Sequence, residues 1–315
     1  MEIYYKSLTY LNKIYNKFTL LQHLLFTLII AIIFCQIYKL FIPSNKEGFI
    51  DEGKKFITHS GMDIYDDYYA NIYDQLVLSE YKNTYEISEI INITEPNTRS
   101  KILDIGSGTG HHVGELSKKN ISVIGIDNSE SMINASKENY PDCDFKKLDA
   151  LSSMIFSANS FTHVLCLYFT IYYFKDKKVL FENSFNWLMP GGHLVIHLVD
   201  REKFDPILPA ANNLHIVNPQ DHAKERITNS TVIFDNFKYK ANFNYQPSKN
   251  ISTFLETFQN NDGGKIRQNE HTLYMPTQKE ILAIAKSVGF ILSSKIDLAV
   301  TQYEHQYLYV LQKPE

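Results

Sequence analysis

Apolar residues along this chain follow three successive rhythms. From Phe18 to Tyr38, 21 consecutive residues carry no Asp, Glu, Lys or Arg, and Leu24–Phe34 is almost wholly Leu, Ile and Phe. At about 1.5 Å per residue, such a helix matches the hydrocarbon thickness of a bilayer. From Asp63 to Ile93 the apolar positions take helical spacing, with Ile64, Tyr68, Ile72 and Leu76, then Tyr85, Ile87, Ile90 and Ile91. Short apolar runs then alternate with helical segments. Strands are expected at Lys101–Ile105, Ile121–Asp127, Phe145–Leu148, Phe161–Tyr168 and His193–Val199. A turn and helix are expected over Ser107–Lys118, and helices after the N-cap candidate Ser129 and at Lys177–Leu188, which Pro190-Gly191-Gly192 stops. This alternation predicts a parallel sheet covered on both faces.

The third rhythm has a period of two. Thr231–Tyr245, Ile251–Phe258 and Ile266–Tyr274 alternate apolar with polar residues, and Asn261-Asp262-Gly263-Gly264 is a turn signal. A small antiparallel cap over the mouth of the main sheet is expected from 201–275. A helix at Thr277–Val288 ends at Gly289, and Phe290–Asp297 with Gln306–Lys313 should finish the main sheet as an antiparallel pair. The expected order is a tail (1–17), a transmembrane helix (18–42), a polar linker (43–60), a core (61–200), the cap (201–275) and the completion of the core (276–315).

The apolar run is read as a single-pass membrane anchor with the lipid bilayer as its partner. A cleaved signal peptide fits less well, because no A-x-A-like site follows, and a buried helix is the other alternative. Lys6, Lys13 and Lys17 precede the run, while Lys39, Lys46, Lys54 and Lys55 follow it, so charge does not set its orientation. Composition changes little else. The net charge of −4 gives no support for a nucleic-acid partner. Cys35, Cys143 and Cys166 form no C-x-x-C pair, so neither a zinc site nor a disulfide framework is indicated.

The chemistry lies where strands end. Ile102–Gly110 reads Ile-Leu-Asp-Ile-Gly-Ser-Gly-Thr-Gly, and the following apolar run ends in Asp127. Glycines let a backbone turn sharply and approach a ligand closely. A carboxylate at the tip of the next strand can accept both hydroxyls of a ribose. An adenosine-containing cofactor is therefore expected. The spacing G-x-G-x-G differs from the nicotinamide fingerprint G-x-G-x-x-G.

Three stretches together resemble the class I S-adenosylmethionine-dependent methyltransferases, with a domain of the type 11/25 kind. They are Leu103–Gly110, then Gly125-Ile126-Asp127-Asn128-Ser129-Glu130-Ser131-Met132, then Leu188-Met189-Pro190-Gly191-Gly192-His193-Leu194. The resemblance runs from about Ile64 to Val199 and resumes near Tyr274. It implies an α/β fold: a Rossmann-like, seven-stranded, mostly parallel sheet with helices on both faces. It also implies S-adenosyl-L-methionine as cofactor, held by Asp104, Gly106, Ser107, Gly108, Gly110, Asp127, Asn128, Met132, Asp149 and Ala150. Asp127 would take the ribose, Met132 would pack on the adenine, and Asp149 would accept from its exocyclic amine, with the Ala150 amide nearby. Helix capping by Asp127, simple core packing for Met132 and a turn role for Asp149 are the plainer alternatives.

Methyl transfer from a sulfonium needs alignment and exclusion of water more than a dedicated catalyst. Tyr168, after the fourth strand, and His197, near the end of the fifth, are the catalytic candidates, with packing as the alternative for each. No Asn-Pro-Pro-Tyr follows the fourth strand, so amino methylation of DNA bases is not indicated. The expected activity is methyl transfer to a small-molecule or lipid-associated acceptor, by a catalytic domain facing the cytosol where the donor is made. The alternatives are a protein or cap-like RNA acceptor, a nicotinamide or nucleotide-sugar enzyme on a similar sheet, and a non-catalytic scaffold that keeps the fold.

Overall fold

The computed structural model describes residues 56–211, 219–261 and 263–315, and part of a helical stretch between 19 and 31. Most of the proposed anchor at 18–42 lies outside the described residues. Among the described residues, no helix is long and apolar enough to cross a membrane.

The main sheet has seven strands in the order β11-β12-β6-β5-β2-β3-β4. Its parallel part is β2 (Lys101–Ile105), β3 (Ser122–Asp127), β4 (Asp144–Lys147), β5 (Phe161–Cys166) and β6 (Leu188–Val199). β11 (Ile291–Asp297) and β12 (Gln306–Gln312) add an antiparallel edge. The central strands bury nearly every residue: Leu103, Val164, Leu165, Cys166, Val195 and Ile196 show essentially no exposed surface. Continuous apolar runs of this kind belong to strands covered on both faces. The order reverses between β2 and β5, which places a crevice at their carboxyl ends, where ligands bind in open α/β sheets.

Helices cover the sheet. They are α1 (Asp67–Val77), α2 (Glu80–Thr94), α3 (His111–Ser117), α4 (Glu130–Asn139), α5 (Thr170–Tyr173), α6 (Lys177–Trp187) and α7 (Gln278–Val288). The starts of α1, α2, α4, α6 and α7 carry side-chain caps that satisfy otherwise orphaned amides. The Ser129 hydroxyl accepts the Met132 amide at 3.1 Å. Asp66 accepts from Tyr69 at 3.0 Å. Thr277 and Glu280 form a reciprocal capping box at α7.

A second sheet has the order β1-β10-β9-β8-β7. It comprises β1 (Phe56–Ser60), β7 (Asn229–Ile233), β8 (Phe237–Gln246), β9 (Ile251–Asn260) and β10 (Ile266–Tyr274). Phe237, Tyr239, Ala241 and Phe243 alternate along β8 with more exposed residues and are buried. That period-two pattern presents one face inward.

Three expectations are corrected. The linker at 43–60 ends in a strand, because β1 pairs in parallel with β10, Phe56 opposite Ile266 and Ser60 opposite Glu270. Thr231–Tyr245 is not one strand; the chain turns between β7 and β8, where the Phe234 amide donates to the Phe237 carbonyl at 2.9 Å. The fourth main strand stops at Cys166, short of Tyr168, because Tyr168 takes a left-handed backbone with φ of 50°.

Candidate active site

The loop after β2 is built by its glycines. Gly106 has φ of +70°, and a Cβ there would meet Thr170 Cγ2 at 2.5 Å. The Gly106 and Ser107 amides both donate to the Ile126 carbonyl, at 2.8 and 2.9 Å, which pins the loop to the end of β3. Asp127, at the tip of β3, accepts the Gly108 amide through Oδ2 at 3.1 Å and the Ser129 amide through Oδ1 at 2.9 Å. Burial raises the Asp127 pKa, and the amides of Ser129, Gly108 and Asn128 act in the opposite sense.

Beyond the strand ends lies a cavity of about 630 Å³. It gathers Gly106, Gly108, Asp127, Asn128, Met132, Asp149, Ala150 and Tyr168 of the sequence-derived residues. Asp149 also makes a turn, its Oδ1 accepting the Leu151 amide at 2.9 Å. Asp104 and Ser107 face a smaller adjoining cavity of about 80 Å³, shared with Gly106, Gly108 and Tyr168. Gly110 borders neither cavity; it is the helix cap at φ of +91°, where a Cβ would strike Phe145.

Asp104 is 2% exposed, and its Oδ2 has no hydrogen-bond partner among the described residues. Burial pushes its pKa up to about 6, with Asp127 and Glu86 adding to the rise. A buried oxygen without a donor, beside an open glycine loop, fits a ligand that brings a cationic N–H group. The loop is tied to α1 as well. Asp74 accepts from Thr109 Oγ1 at 2.7 Å and pairs with His111 Nε2 at 2.8 Å. His112 lies 3.2 Å from buried Glu86, which also pairs with Lys82 at 2.8 Å. His111 and His112 thus have protein partners.

His197 does not face the cavity. It is wholly buried, and its Nδ1 lies 2.8 Å from the Tyr168 carbonyl. A carbonyl only accepts, so Nδ1 carries the proton. Burial lowers the pKa of this imidazole to about 4, and nearby Lys82 acts in the same sense. The candidate base is thus a neutral ring supporting the strained Tyr168 backbone from behind. Tyr168 itself lines the cavity, with its phenol pKa raised by burial.

The opposite wall is a group that the sequence motifs missed. Tyr65, Tyr69, Tyr73 and Tyr173 line the cavity with Phe254 and His271 of the second sheet. Their rings meet edge to face, as in Tyr65 with Tyr173 at 6.0 Å and Tyr65 with His271 at 6.1 Å between centroids. Behind His271 sits Glu256, fully buried, its Oε2 2.8 Å from His271 Nε2. The available signal was phase: Glu256, Asn269 and His271 occupy positions of β9 and β10 where the alternation calls for apolar residues.

A glycine turn at the switch point, a strand-tip carboxylate and a capped aromatic cavity define an α/β domain built for a nucleoside cofactor and a second ligand. Residues 102–192 match the model of the methyltransferase domain family. A putative methyltransferase of Invertebrate iridescent virus 6 is 30% identical over 139 residues, covering 42% of this chain and 48% of that protein. The demethylmenaquinone methyltransferase of Paenarthrobacter aurescens is 28% identical over 126 residues, 40% of this chain and 47% of the relative. The chain thus spans about half the length of these relatives. Among solved structures, the CcbJ methyltransferase of Streptomyces caelestis superposes with a TM-score of 0.60 at 15% identity, over 80% of this chain and 98% of that one. The sugar N-methyltransferase KedS8 of Streptoalloteichus gives 0.57 at 17% identity, over 85% and 100%. These two share the fold. Residues 102–192 thus match a methyltransferase domain, and a solved structure that shares the fold, the amino pentose methyltransferase CalS10 of Micromonospora echinaspora, holds S-adenosylmethionine.

Proposed function

We propose that this chain methylates a small-molecule acceptor held in the cavity between the glycine loop and the second sheet. The observation that carries the proposal is the shared cavity: Gly106, Gly108 and Asp127 form one end, and Tyr65, Tyr173 and His271 form a wall. When bound, the cofactor supplies a methyl carbon made electrophilic by its sulfonium. Asp127 accepts the ribose hydroxyls. Asp149 and the Ala150 amide meet the adenine, and Met132 packs on it. Asp104 takes the cofactor's ammonium on its unpartnered oxygen. Gly106, Ser107 and Gly108 bring backbone close, Asn128 borders the sugar, and Gly110 starts the supporting helix. Tyr168 and the other aromatic walls orient the acceptor and exclude water, and the main source of rate is alignment.

Relatives named for small acceptors favour this class, among them a demethylmenaquinone methyltransferase and a sugar N,N-dimethyltransferase. The test is incubation with methyl-labelled donor, followed by sorting the label into small-molecule, lipid, protein and RNA fractions. Label in the small-molecule or lipid fraction supports the proposal. Label confined to protein or RNA overturns the acceptor class, and failure to bind S-adenosylhomocysteine overturns the whole. Attachment to a bilayer through 18–42, with the catalytic domain facing the cytosol, is a separate part of the proposal. It rests on the apolar composition of that run, and membrane flotation of the full chain tests it.

A further inference from the structure

The second sheet brings a chain of polar side chains up to the aromatic wall of the cavity. Glu256 is 0% exposed and His271 2% exposed. Glu256 accepts from Tyr239 Oη at 2.8 Å, from Asn269 Nδ2 at 3.2 Å and from His271 Nε2 at 2.8 Å. A carboxylate offers only acceptors, so Nε2 holds the imidazole proton and Nδ1 is left as an acceptor. The Tyr173 hydroxyl donates to that Nδ1 at 2.8 Å. The Tyr65 ring meets that of Tyr173 edge to face, 6.0 Å between centroids. Tyr173, 37% exposed, lines the cavity. A buried imidazole oriented by a carboxylate is an arrangement suited to taking a proton.

The lining also limits what can give that proton. Among the described residues, it includes Asp127, Asp149 and Asp205 but no Lys or Arg. Phosphate or carboxylate acceptors would find no cation there. An ammonium would find tyrosine and phenylalanine faces, which attract cations.

We infer that Tyr173, His271 and Glu256 form a proton relay that deprotonates an amine acceptor before methyl transfer. This rests on the proposed methyltransferase activity. The ammonium gives one proton to Tyr173 Oη as the tyrosine's own proton passes to His271 Nδ1. The result is a neutral amine with its lone pair free and an imidazolium facing the Glu256 carboxylate. That proton returns to solvent when the product leaves. Tyr173 and His271 touch the acceptor side of the cavity; Glu256 is a positioning residue.

The groups facing His271 are Glu256 on β9, Tyr173 on α5, and the rings of Tyr65 and Tyr69. Glu256 is the anionic member of this group, and burial raises the phenol pKa values of Tyr65 and Tyr69.

The experiment uses the full chain, methyl-labelled S-adenosylmethionine and a panel of primary and secondary amines matched with the corresponding alcohols and phenols. The expected result is label in amines, falling roughly a hundredfold or more in Tyr173→Phe and Glu256→Gln, with S-adenosylhomocysteine affinity unchanged. A second readout is nitrogen NMR of His271 in the S-adenosylhomocysteine complex. Adding a panel amine should give an imidazolium signature in the wild type and none in Tyr173→Phe, a change that a merely structural contact would not produce. Because His271→Ala strands a buried carboxylate and endangers folding, the milder Tyr173→Phe decides. Label in alcohols or phenols alone, full activity in Tyr173→Phe, or S-adenosylhomocysteine binding without binding or methylation of any amine overturns the relay. Loss of S-adenosylhomocysteine binding by the wild type overturns the underlying activity instead.

Discussion

The Asp127 carboxylate reaches from the tip of β3 to the loop after β2 and accepts the Gly108 amide at 3.1 Å. Its other oxygen accepts the Ser129 amide at 2.9 Å. Two backbone donors from different segments hold the carboxylate in one orientation, so the glycine loop and the start of α4 are positioned together. The Ser129 hydroxyl extends the tie, donating to the Tyr65 carbonyl at 2.6 Å. One residue thus links the cofactor end of the cavity to its aromatic wall.

Asp127→Ala should therefore weaken S-adenosylhomocysteine binding by about 1–3 kcal/mol, through lost charge-assisted hydrogen bonds. Asp127→Asn, which keeps one acceptor oxygen for the loop, should lie between the two. Calorimetric titration measures both. An unchanged dissociation constant for the alanine variant would remove Asp127 from the site.

Gly106→Ala meets two obstacles. The backbone is at φ of +70°, and the new methyl would lie 2.5 Å from Thr170 Cγ2 and 2.7 Å from Thr170 Oγ1. A stability loss on the order of 1–3 kcal/mol and weaker cofactor binding are expected. Adding Thr170→Ala removes the two closest atoms but not the backbone strain, so it should restore only part of the loss. Thermal denaturation of the single and double variants separates the two costs; full restoration would show that crowding alone matters.

The Asp104 carboxyl, raised by burial to about 6 from 3.8, gives the site a pH signature. Between those values the folded chain binds a proton that the unfolded chain does not. Stability of the cofactor-free protein therefore falls as pH rises through this window. Affinity for S-adenosylhomocysteine should do the opposite, rising as pH passes about 6 and Asp104 gains the charge that attracts the ligand's ammonium. Titrations from pH 5 to 7.5 test this, and Asp104→Asn should flatten the profile. A wild-type profile that is already flat would detach Asp104 from the ammonium.

The parallel core was legible because its strands are buried on both faces. Ile102-Leu103, Val164-Leu165-Cys166 and Val195-Ile196 leave no polar phase to confuse. The glycine loop was legible because close approach and positive φ demand glycine. β1 was not, because an edge strand paired along one side makes little apolar demand, and Phe56 and Ile57 remain about 40% exposed. The Glu256, His271 and Tyr173 contacts were hidden for another reason. They join three segments far apart in the chain, and only the fold of the second sheet brings them into register, with Glu256 opposite Asn269 and Phe254 opposite His271. The misassignment of His197 has the same origin. A histidine near a strand end looks like a base until the ring is found behind the strand.

His197→Asn separates support from catalysis. In the wild type, burial lowers the imidazole pKa to about 4 from 6.5. Between those values the unfolded chain binds a proton that the folded chain refuses, so His197 makes stability fall as pH drops from 6.5 towards 4. Asparagine cannot titrate, and its amide can still donate to the Tyr168 carbonyl. The variant should lose less stability over that interval, by denaturant unfolding at pH 7 and pH 5. His197→Leu leaves the Tyr168 carbonyl without its donor and should cost about 1–3 kcal/mol at pH 7. Turnover at saturating cofactor should stay within a few-fold in the asparagine variant, because the ring does not face the cavity. A well-folded His197→Asn protein that had lost a hundredfold in turnover, about what removing a general base costs, would return the proton-accepting role to His197 and take it from His271.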